Sequence, residues 1–142
     1  MSSPKILLTG ATGFIGGSVL AAVLDHPALK DAVFTLLLRG KSRADTLEAT
    51  YGSRVSTIIY EDIDDAATTT TAASKVDMII NAGPGFHMGA AEALPRGLSQ
   101  RKSETGRDVW MIHTSGTSNV AERFISKIHL YKHSRDLKAT RR

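Results

Sequence analysis

The chain has 142 residues, of which 42% are apolar and 23% charged, a composition typical of one globular domain. It contains no cysteine, which excludes disulfides, thiolate catalysis and cysteine-ligated zinc. It also has no apolar run of about 18 residues, so no membrane span is expected, and these features together fit a cytoplasmic protein.

The positive charge is concentrated near the C-terminus. Residues 120–142 carry a net charge of +5, which leaves −1 for the first 119 residues and gives +4 overall. The basic isoelectric point is therefore a property of the tail, and nucleic-acid binding is not expected. We predict one domain over residues 1–119, followed by a basic tail over 120–142 that is helical or disordered.

Strands and helices are predicted to alternate along the chain. Short apolar runs predict strands over 5–9, 32–38, 55–60, 77–81 and 109–113. Helices are predicted over 13–25, 42–51, 65–74 and 90–104, with Ser42 capping the second, Asp64 or Asp65 capping the third, and a break or bend at Pro95 in the fourth. The alternation predicts an α/β fold with a doubly wound parallel sheet of five strands.

Three glycines at intervals of three follow the first strand and open the first helix, namely Gly10, Gly13 and Gly16. Such glycines permit a tight turn, a close approach of the backbone to a pyrophosphate, and close packing of the helix. The free N–H groups of the helix N-terminus then face the phosphates. This context predicts a dinucleotide-binding loop in a Rossmann-type fold, and the alternative is a glycine-rich turn without a ligand.

Residues 9–17, Thr-Gly-Ala-Thr-Gly-Phe-Ile-Gly-Gly, resemble the loop of extended and atypical short-chain dehydrogenases/reductases. That family includes nucleoside-diphosphate-sugar epimerases and NmrA-like proteins. By the order of its elements, the resemblance covers residues 5 to about 119. It implies that the cofactor diphosphate is lined by Gly10, Thr12, Gly13, Phe14 and Ile15.

The end of the second strand bears on the choice of cofactor. An acidic residue at that position would bind the adenosine ribose and repel a 2′-phosphate. Here the position holds Arg39, with Lys41 and Arg43 nearby. Because a guanidinium binds phosphate through two parallel hydrogen bonds, the sequence favours NADP over NAD, and the alternative is a surface arginine on a loop.

The resemblance implies two further cofactor contacts. Asp62 and Ile63 correspond to the acidic–apolar pair that contacts adenine, although a helix cap or a solvated acid explains this acidic cluster equally well. Asn81, Ala82 and Gly83 correspond to the segment beside the cofactor ribose, where small residues allow close approach.

The resemblance also implies hydride transfer, which requires a hydroxyl at the end of the fifth strand and a Tyr followed four residues later by Lys. Ser115 and Thr117 are the candidates for the hydroxyl, and the alternative for both is an ordinary polar strand end. The Tyr–Lys pair is not found. Tyr131 has Arg135 at the fourth position, and arginine hardly titrates.

No metal site is predicted. His113, His129 and His133 are interpreted as structural or solvated, because the pair spaced by four residues has no evident third ligand.

Three interpretations of function follow. The first is an NADP-dependent oxidoreductase or epimerase acting on a small carbonyl or a sugar nucleotide, and the second is a non-catalytic NADP-sensing regulatory module. The third is an inactive fragment, since the chain is shorter than the proteins it resembles and is expected to be truncated at its C-terminus. The dinucleotide is the expected partner, while the substrate and the oligomeric state stay open.

Overall fold

The computed structural model describes residues 3–84 and 87–116, in which five parallel strands form one sheet between two layers of helices. The elements are, in chain order, β1 (Lys5–Thr9), α1 (Phe14–Asp25), β2 (Val33–Leu38), α2 (Lys41–Tyr51), β3 (Val55–Ile59), α3 (Ala66–Ala73), β4 (Met78–Asn81), α4 (Met88–Thr105) and β5 (Trp110–His113). This architecture confirms the predicted Rossmann-type fold class.

The order of the strands in the sheet is β3-β2-β1-β4-β5, and all four pairings are parallel. The chain therefore winds outward from β1 to β3 and then crosses back to place β4 on the other side of β1. The connections that leave β1 and β4 go to opposite faces of the sheet. Such a reversal leaves a crevice at the carboxyl ends of the strands, where open α/β sheets bind their ligands.

Alternate residues of the central strands point to opposite faces, and each face has its own core. Leu8, Phe34 and Leu36 pack on the side of α1 and α2. Leu7 and Ile79 pack on the side of α3 and α4. Because helices cover both faces, the central strands are apolar throughout, as a parallel sheet requires.

The start of α2 differs from the prediction. The helix begins at Lys41, and its N-cap is Gly40, with φ +84°, rather than Ser42. Gly40 adopts a backbone conformation that few other residues tolerate, which lets the chain turn from β2 into the helix two residues early. Ser42 consequently lies inside the first turn, where its carbonyl accepts a hydrogen bond from the Thr46 hydroxyl at 2.9 Å.

Polar side chains define the starts of the next two helices. Asp65 caps α3, because its carboxylate accepts the Thr68 N–H at 3.0 Å, and this bond lowers the pKa of Asp65 below its ordinary value. Helix α4 begins at Met88, two residues before the predicted start, since the His87 ring accepts the Ala90 N–H at 3.3 Å.

Helix α4 continues through Pro95 to Thr105, so the predicted break does not occur. It lies close to α3 at Gly97, where an added Cβ would be 2.5 Å from the Thr70 carbonyl oxygen. The packing on α3 stabilises the helix on both sides of the proline, and tertiary contacts of this kind commonly override local propensity.

Two short 3-10 turns, Pro27–Leu29 and Gly52–Arg54, were not predicted. No helix in the parts of the chain described by the structure is long and apolar enough to cross a membrane. Thr117 and the predicted basic tail over 120–142 lie outside the described residues.

Candidate cofactor-binding site

A cavity of about 400 Å³ opens at the carboxyl end of the sheet, at the point where the chain reverses direction. Its floor is formed by the ends of β1, β2 and β4, and its walls come from α3, α4 and the segments that follow the strands. A volume of this size is ordinary for a small-molecule site.

The cavity brings together residues that are far apart in the sequence. Eight of the twelve predicted cofactor-binding residues line it, namely Gly10, Thr12, Gly13, Arg39, Ile63, Asn81, Ala82 and Gly83. They come from the β1–α1 loop, the end of β2, the β3–α3 connection and the end of β4. The predicted residues thus converge on one site, although their contacts with a cofactor stay a prediction.

The other four predicted residues do not line the cavity. Phe14 and Ile15 are 94% and 50% exposed in the first turn of α1, and Gly16 is buried behind the loop. The Asp62 carboxylate accepts the Asp64 N–H at 2.8 Å. Asp62 therefore stabilises a local turn, which favours the alternative interpretation of this acid.

Each of the three loop positions has glycine for a different structural reason. Gly10 has φ +71°, and a Cβ there would lie 2.6 Å from the carbonyl carbon of Ala82. Gly13 is the N-cap of α1 and donates its N–H to the Gly10 carbonyl at 2.9 Å. At Gly16, a Cβ would lie 2.5 Å from the carbonyl carbon of Gly10, so this position requires glycine for close packing of the helix.

The N-terminus of α1 faces the cavity with no competing anion. The helix has no side-chain cap and no acidic residue in its first turn. Its first N–H groups lack intrahelical acceptors, as in every helix, and they carry the positive end of the helix dipole. The loop is therefore suited to hold a phosphate.

A hydrogen-bond network links two strand ends on the cavity floor with the end of β5 beside them. The Asn81 side chain accepts a hydrogen bond from the Thr9 hydroxyl and another from the Gly83 N–H at 3.3 Å. Its amide group also contacts Nδ1 of His113 at 2.9 Å. Since Thr9, Asn81 and His113 end β1, β4 and β5, the network fixes the spacing of these strands at the site.

Two arginines lie on the α2 side of the cavity. Arg39 follows β2 and Arg43 lies in the first turn of α2, and both line the cavity. Neither forms an ion pair or a hydrogen bond with any residue of 3–84 or 87–116. Lys41 differs, because it forms a salt bridge with Asp45 at 2.9 Å and does not line the cavity.

The apolar wall of the cavity was not predicted from the sequence. Leu38 and Tyr60 contribute from the ends of neighbouring strands, and Ala90 and Leu94 contribute from α4. The packing of α4 against the sheet brings Ala90 and Leu94 to the site, and no local motif contains these two residues.

Only one of the two predicted catalytic hydroxyls lies within the described residues, and it is not part of the cavity. Ser115 is exposed two residues after β5 and does not line it, and Thr117 is outside the described residues. Tyr60 does line it, but at the end of β3, on the side of the two arginines. The catalytic roles of Ser115 and Thr117 therefore stay predictions.

Solved structures with similar folds support this architecture. A short-chain dehydrogenase/reductase from Saccharomyces cerevisiae is 20% identical, with a TM-score of 0.61 over 81% of this chain and 55% of its own. The yeast methylglyoxal/isovaleraldehyde reductase Gre2, solved with NADPH, is 15% identical, with a TM-score of 0.57 over 80% of this chain and 37% of its own. A wide-type short-chain dehydrogenase/reductase from Veillonella parvula, solved with NADP, is 20% identical, with a TM-score of 0.59 over 82% of this chain and 50% of its own. These likenesses confirm the predicted resemblance at the level of the fold.

A curated relative is more similar in sequence. The oxidase ucsJ of an Acremonium species is 32% identical over 116 residues, which cover 82% of this chain and 32% of that protein. The chain thus spans about a third of the length of this relative.

A family match covers the strands and loops that build the cavity. Residues 6–94, from β1 to the first half of α4, match the saccharopine dehydrogenase NADP-binding domain family. The description of the family confirms the cofactor that Arg39 predicts, which is NADP. The chain belongs to the saccharopine dehydrogenase NADP-binding domain family.

Proposed function

We propose that this chain is the cofactor-binding part of an NADP(H)-dependent oxidoreductase that transfers a hydride to or from a small carbonyl compound. The observation that carries the proposal is the pair of arginines, Arg39 and Arg43, beside a glycine loop in one cavity. One end of this cavity suits a diphosphate, and the other offers, for a 2′-phosphate, two guanidinium groups that pair with none of the described residues.

The cavity offers a surface for each part of NADPH. The N-terminus of α1 and Gly13 would hold the diphosphate, and the apolar wall at Leu38, Tyr60 and Ile63 would receive the adenine. The nicotinamide would then lie toward the ends of β4 and β5. NADPH supplies a hydride when bound, and the residues of this chain orient it and exclude water.

A titration with NADPH and NADH tests the arginine assignment. Wild type is expected to bind NADPH more tightly, and Arg39→Gln is expected to weaken NADPH binding about 10- to 100-fold, as for the loss of hydrogen bonds to a charged group. Arg39→Asp is expected to remove the preference for NADPH completely, because a carboxylate repels the 2′-phosphate. NADH binding should change little in Arg39→Gln.

Lys41→Gln is the matched control. It removes one positive charge two residues away, from a side chain that is paired with Asp45 and lies outside the cavity. Its NADPH affinity should stay within about threefold of wild type, as for an exposed ion pair. Equal weakening in Lys41→Gln and Arg39→Gln would contradict a specific phosphate contact and indicate only a general effect of charge.

Several similarities support the oxidoreductase chemistry. The structural neighbours include reductases solved with NADPH or NADP, and the curated relative bears the name of an oxidase. We therefore expect slow oxidation of NADPH in a screen of small aldehydes, beginning with isovaleraldehyde. Sugar nucleotides test the epimerase alternative of the same site, and the readout there is conversion of the sugar nucleotide into its epimer, because epimerisation consumes no NADPH.

The second candidate is a non-catalytic NADP-sensing module. One specific observation favours it: neither tyrosine of the described residues has a lysine four positions later. The residue at that position is Val55 for Tyr51 and Asp64 for Tyr60. NADPH binding at wild-type affinity with no oxidation across the whole screen would support this candidate over the enzyme.

A further inference from the structure

We propose that His113 is a fixed, neutral hydrogen-bond donor that holds a carbonyl oxygen at the nicotinamide end of the site. The inference rests on the proposed function, because it assumes that a nicotinamide cofactor occupies the cavity. It assigns a positioning role to a residue whose spacing and type alone indicate no function.

The position of His113 is set by the sheet. It is the last residue of β5 and lies opposite Asn81 of β4 in the parallel register. Met111, two residues earlier, packs with the core beneath α3 and α4. Because alternate residues share a face of a strand, His113 is on that face. It does not itself line the cavity, but it contacts Asn81, which does.

The orientation of the Asn81 amide follows from its neighbours. The Gly83 N–H lies 3.3 Å from one of the two terminal atoms of the Asn81 side chain. A backbone N–H is only a donor, so this terminal atom must be the oxygen, Oδ1. Oδ1 also accepts from the Thr9 hydroxyl, and the other terminal atom, Nδ2, is therefore the one that faces His113.

The tautomer of His113 follows in turn. An amide Nδ2 carries two hydrogens and no lone pair for accepting, so at 2.9 Å it must donate to Nδ1 of the imidazole. An imidazole that accepts at Nδ1 carries its hydrogen at Nε2. The network from Thr9 through Asn81 thus selects the neutral form with an Nε2–H.

That Nε2–H is available to a ligand. The ring is exposed, and Nε2 has no hydrogen-bond partner within residues 3–84 and 87–116. A strand end has little freedom to move, so the donor is fixed in direction before any ligand binds. A neutral imidazole held in this way stabilises the partial negative charge of a carbonyl oxygen and transfers no proton.

Two carbonyl oxygens reach this end of a nicotinamide site. One belongs to the carboxamide of the nicotinamide and the other to the carbonyl substrate. Both present the same acceptor chemistry to Nε2–H, and an experiment with separate additions distinguishes them.

The test is ¹⁵N NMR of the histidine rings, with His113→Phe identifying the His113 signals. Free wild type is expected to show a protonated Nε2 and an unprotonated Nδ1. If the cofactor carboxamide is the acceptor, NADPH shifts the Nε2 signal and 2′,5′-ADP, which lacks nicotinamide, does not. If the substrate is the acceptor, Nε2 shifts only when isovaleraldehyde is added to the NADP⁺ complex.

Two variants separate this role from a structural one. Asn81→Asp replaces the amide donor by an acceptor and is expected to move the ring hydrogen to Nδ1. His113→Gln retains an N–H donor and should keep the NADPH affinity within about threefold of wild type. His113→Phe should weaken NADPH, if the carboxamide is the acceptor, by about 3- to 10-fold with no change for 2′,5′-ADP.

The outcomes are distinct from those of the proposed function. Nδ1 protonated in free wild type, or an Nε2 signal that responds to none of the three additions while NADPH binds, overturns the assignment of His113 alone. A complete lack of NADPH binding by wild type overturns the proposed function and the His113 inference with it.

Discussion

Gly10 is subject to two independent constraints. Its φ of +71° lies in a region where a Cβ is strained, and the space that a Cβ would occupy is filled by the backbone of Ala82 and Gly83. The first constraint comes from the turn after β1 and the second from the neighbouring strand. The glycine spacing in the sequence predicted a phosphate loop, but it carried no information about the contact with β4.

Gly10→Ala is therefore expected to cost more than backbone strain alone. Gly106→Ala is its control, because Gly106 also has a positive φ, +66°, but has no atom within 4 Å of an added Cβ. The control should lower the free energy of unfolding by about 1–2 kcal/mol. Gly10→Ala should lower it by about 1–3 kcal/mol more, as for overpacking. Equal denaturation midpoints for the two variants would show that the Ala82 contact is unimportant.

The part of the candidate site that could be predicted consists of residues that directly follow a strand. The glycines, Arg39 and the segment 81–83 are local signals, because each follows directly from a strand end. Asp62 was ambiguous, since an acid before a helix serves a turn as readily as a ligand. Side chains contributed by α4, such as Leu94, depend on tertiary packing and leave no local pattern.

At the scale of elements, the packing of α3 against α4 explains why α4 continues through Pro95. The sequence around Pro95 has weak helix signals, yet the helix runs from Met88 to Thr105. Gly97 lets it approach α3 so closely that a Cβ would lie 2.5 Å from the Thr70 carbonyl oxygen and 2.9 Å from the Ser74 nitrogen. Periodicity predicted that the helix exists, but its length depends on this contact.

Gly97→Ala is expected to destabilise the protein although alanine has the higher helix propensity. The added methyl group overlaps backbone atoms of α3, which predicts a loss of about 1–3 kcal/mol of unfolding free energy. Gly89→Ala in the same helix is the control, since its Cβ would be 3.4 Å from its nearest atom, an ordinary contact. The control should be neutral or stabilising by up to about 1 kcal/mol. A thermal melt in which the Tm of Gly97→Ala is not lower than the Tm of Gly89→Ala would contradict this packing.

At the scale of the molecule, one ion pair connects the entry of β4 with the distal half of α4. Arg101 donates two hydrogen bonds to the Asp77 carboxylate, at 3.0 and 2.8 Å, and both side chains are more than four-fifths buried. Burial raises the pKa of Asp77, but the hydrogen bond and the charge of Arg101, with Arg107 nearby, outweigh it. The pKa of Asp77 therefore lies below its ordinary value.

Asp77→Asn is expected to lower the free energy of unfolding at neutral pH by about 1–3 kcal/mol, as for a hydrogen bond to a charged group. Because the pKa is lower in the folded chain, this contribution is present above the unfolded-chain pKa of about 3.9 and is lost as the pH falls through the folded-state pKa. The free energies of unfolding of wild type and variant, measured by urea denaturation, should thus become equal in acid. A gap that stays unchanged as the pH falls well below the unfolded-chain pKa would contradict the ionic origin.

Asp45→Asn is the control for this measurement. Its pair with Lys41 is at the surface, where solvent screens the charges, so Asp45→Asn should leave the denaturation midpoint nearly unchanged.

The alternation of strands and helices was sufficient to predict the class of the whole fold, since few topologies accommodate it. The strand order β3-β2-β1-β4-β5 is a separate fact, which no single segment determines. It arises because the chain after β3 crosses to the free edge of β1.

The close contact between Gly10 and Ala82 has a thermodynamic consequence. Two main chains touch there with no side chain between them, so no rotamer change can widen or narrow the gap between the phosphate loop and the β4 segment. Backbone packing alone therefore sets the shape of the loop at this point. The proposed binding of a diphosphate there costs little conformational entropy, which leaves more of the interaction free energy as affinity.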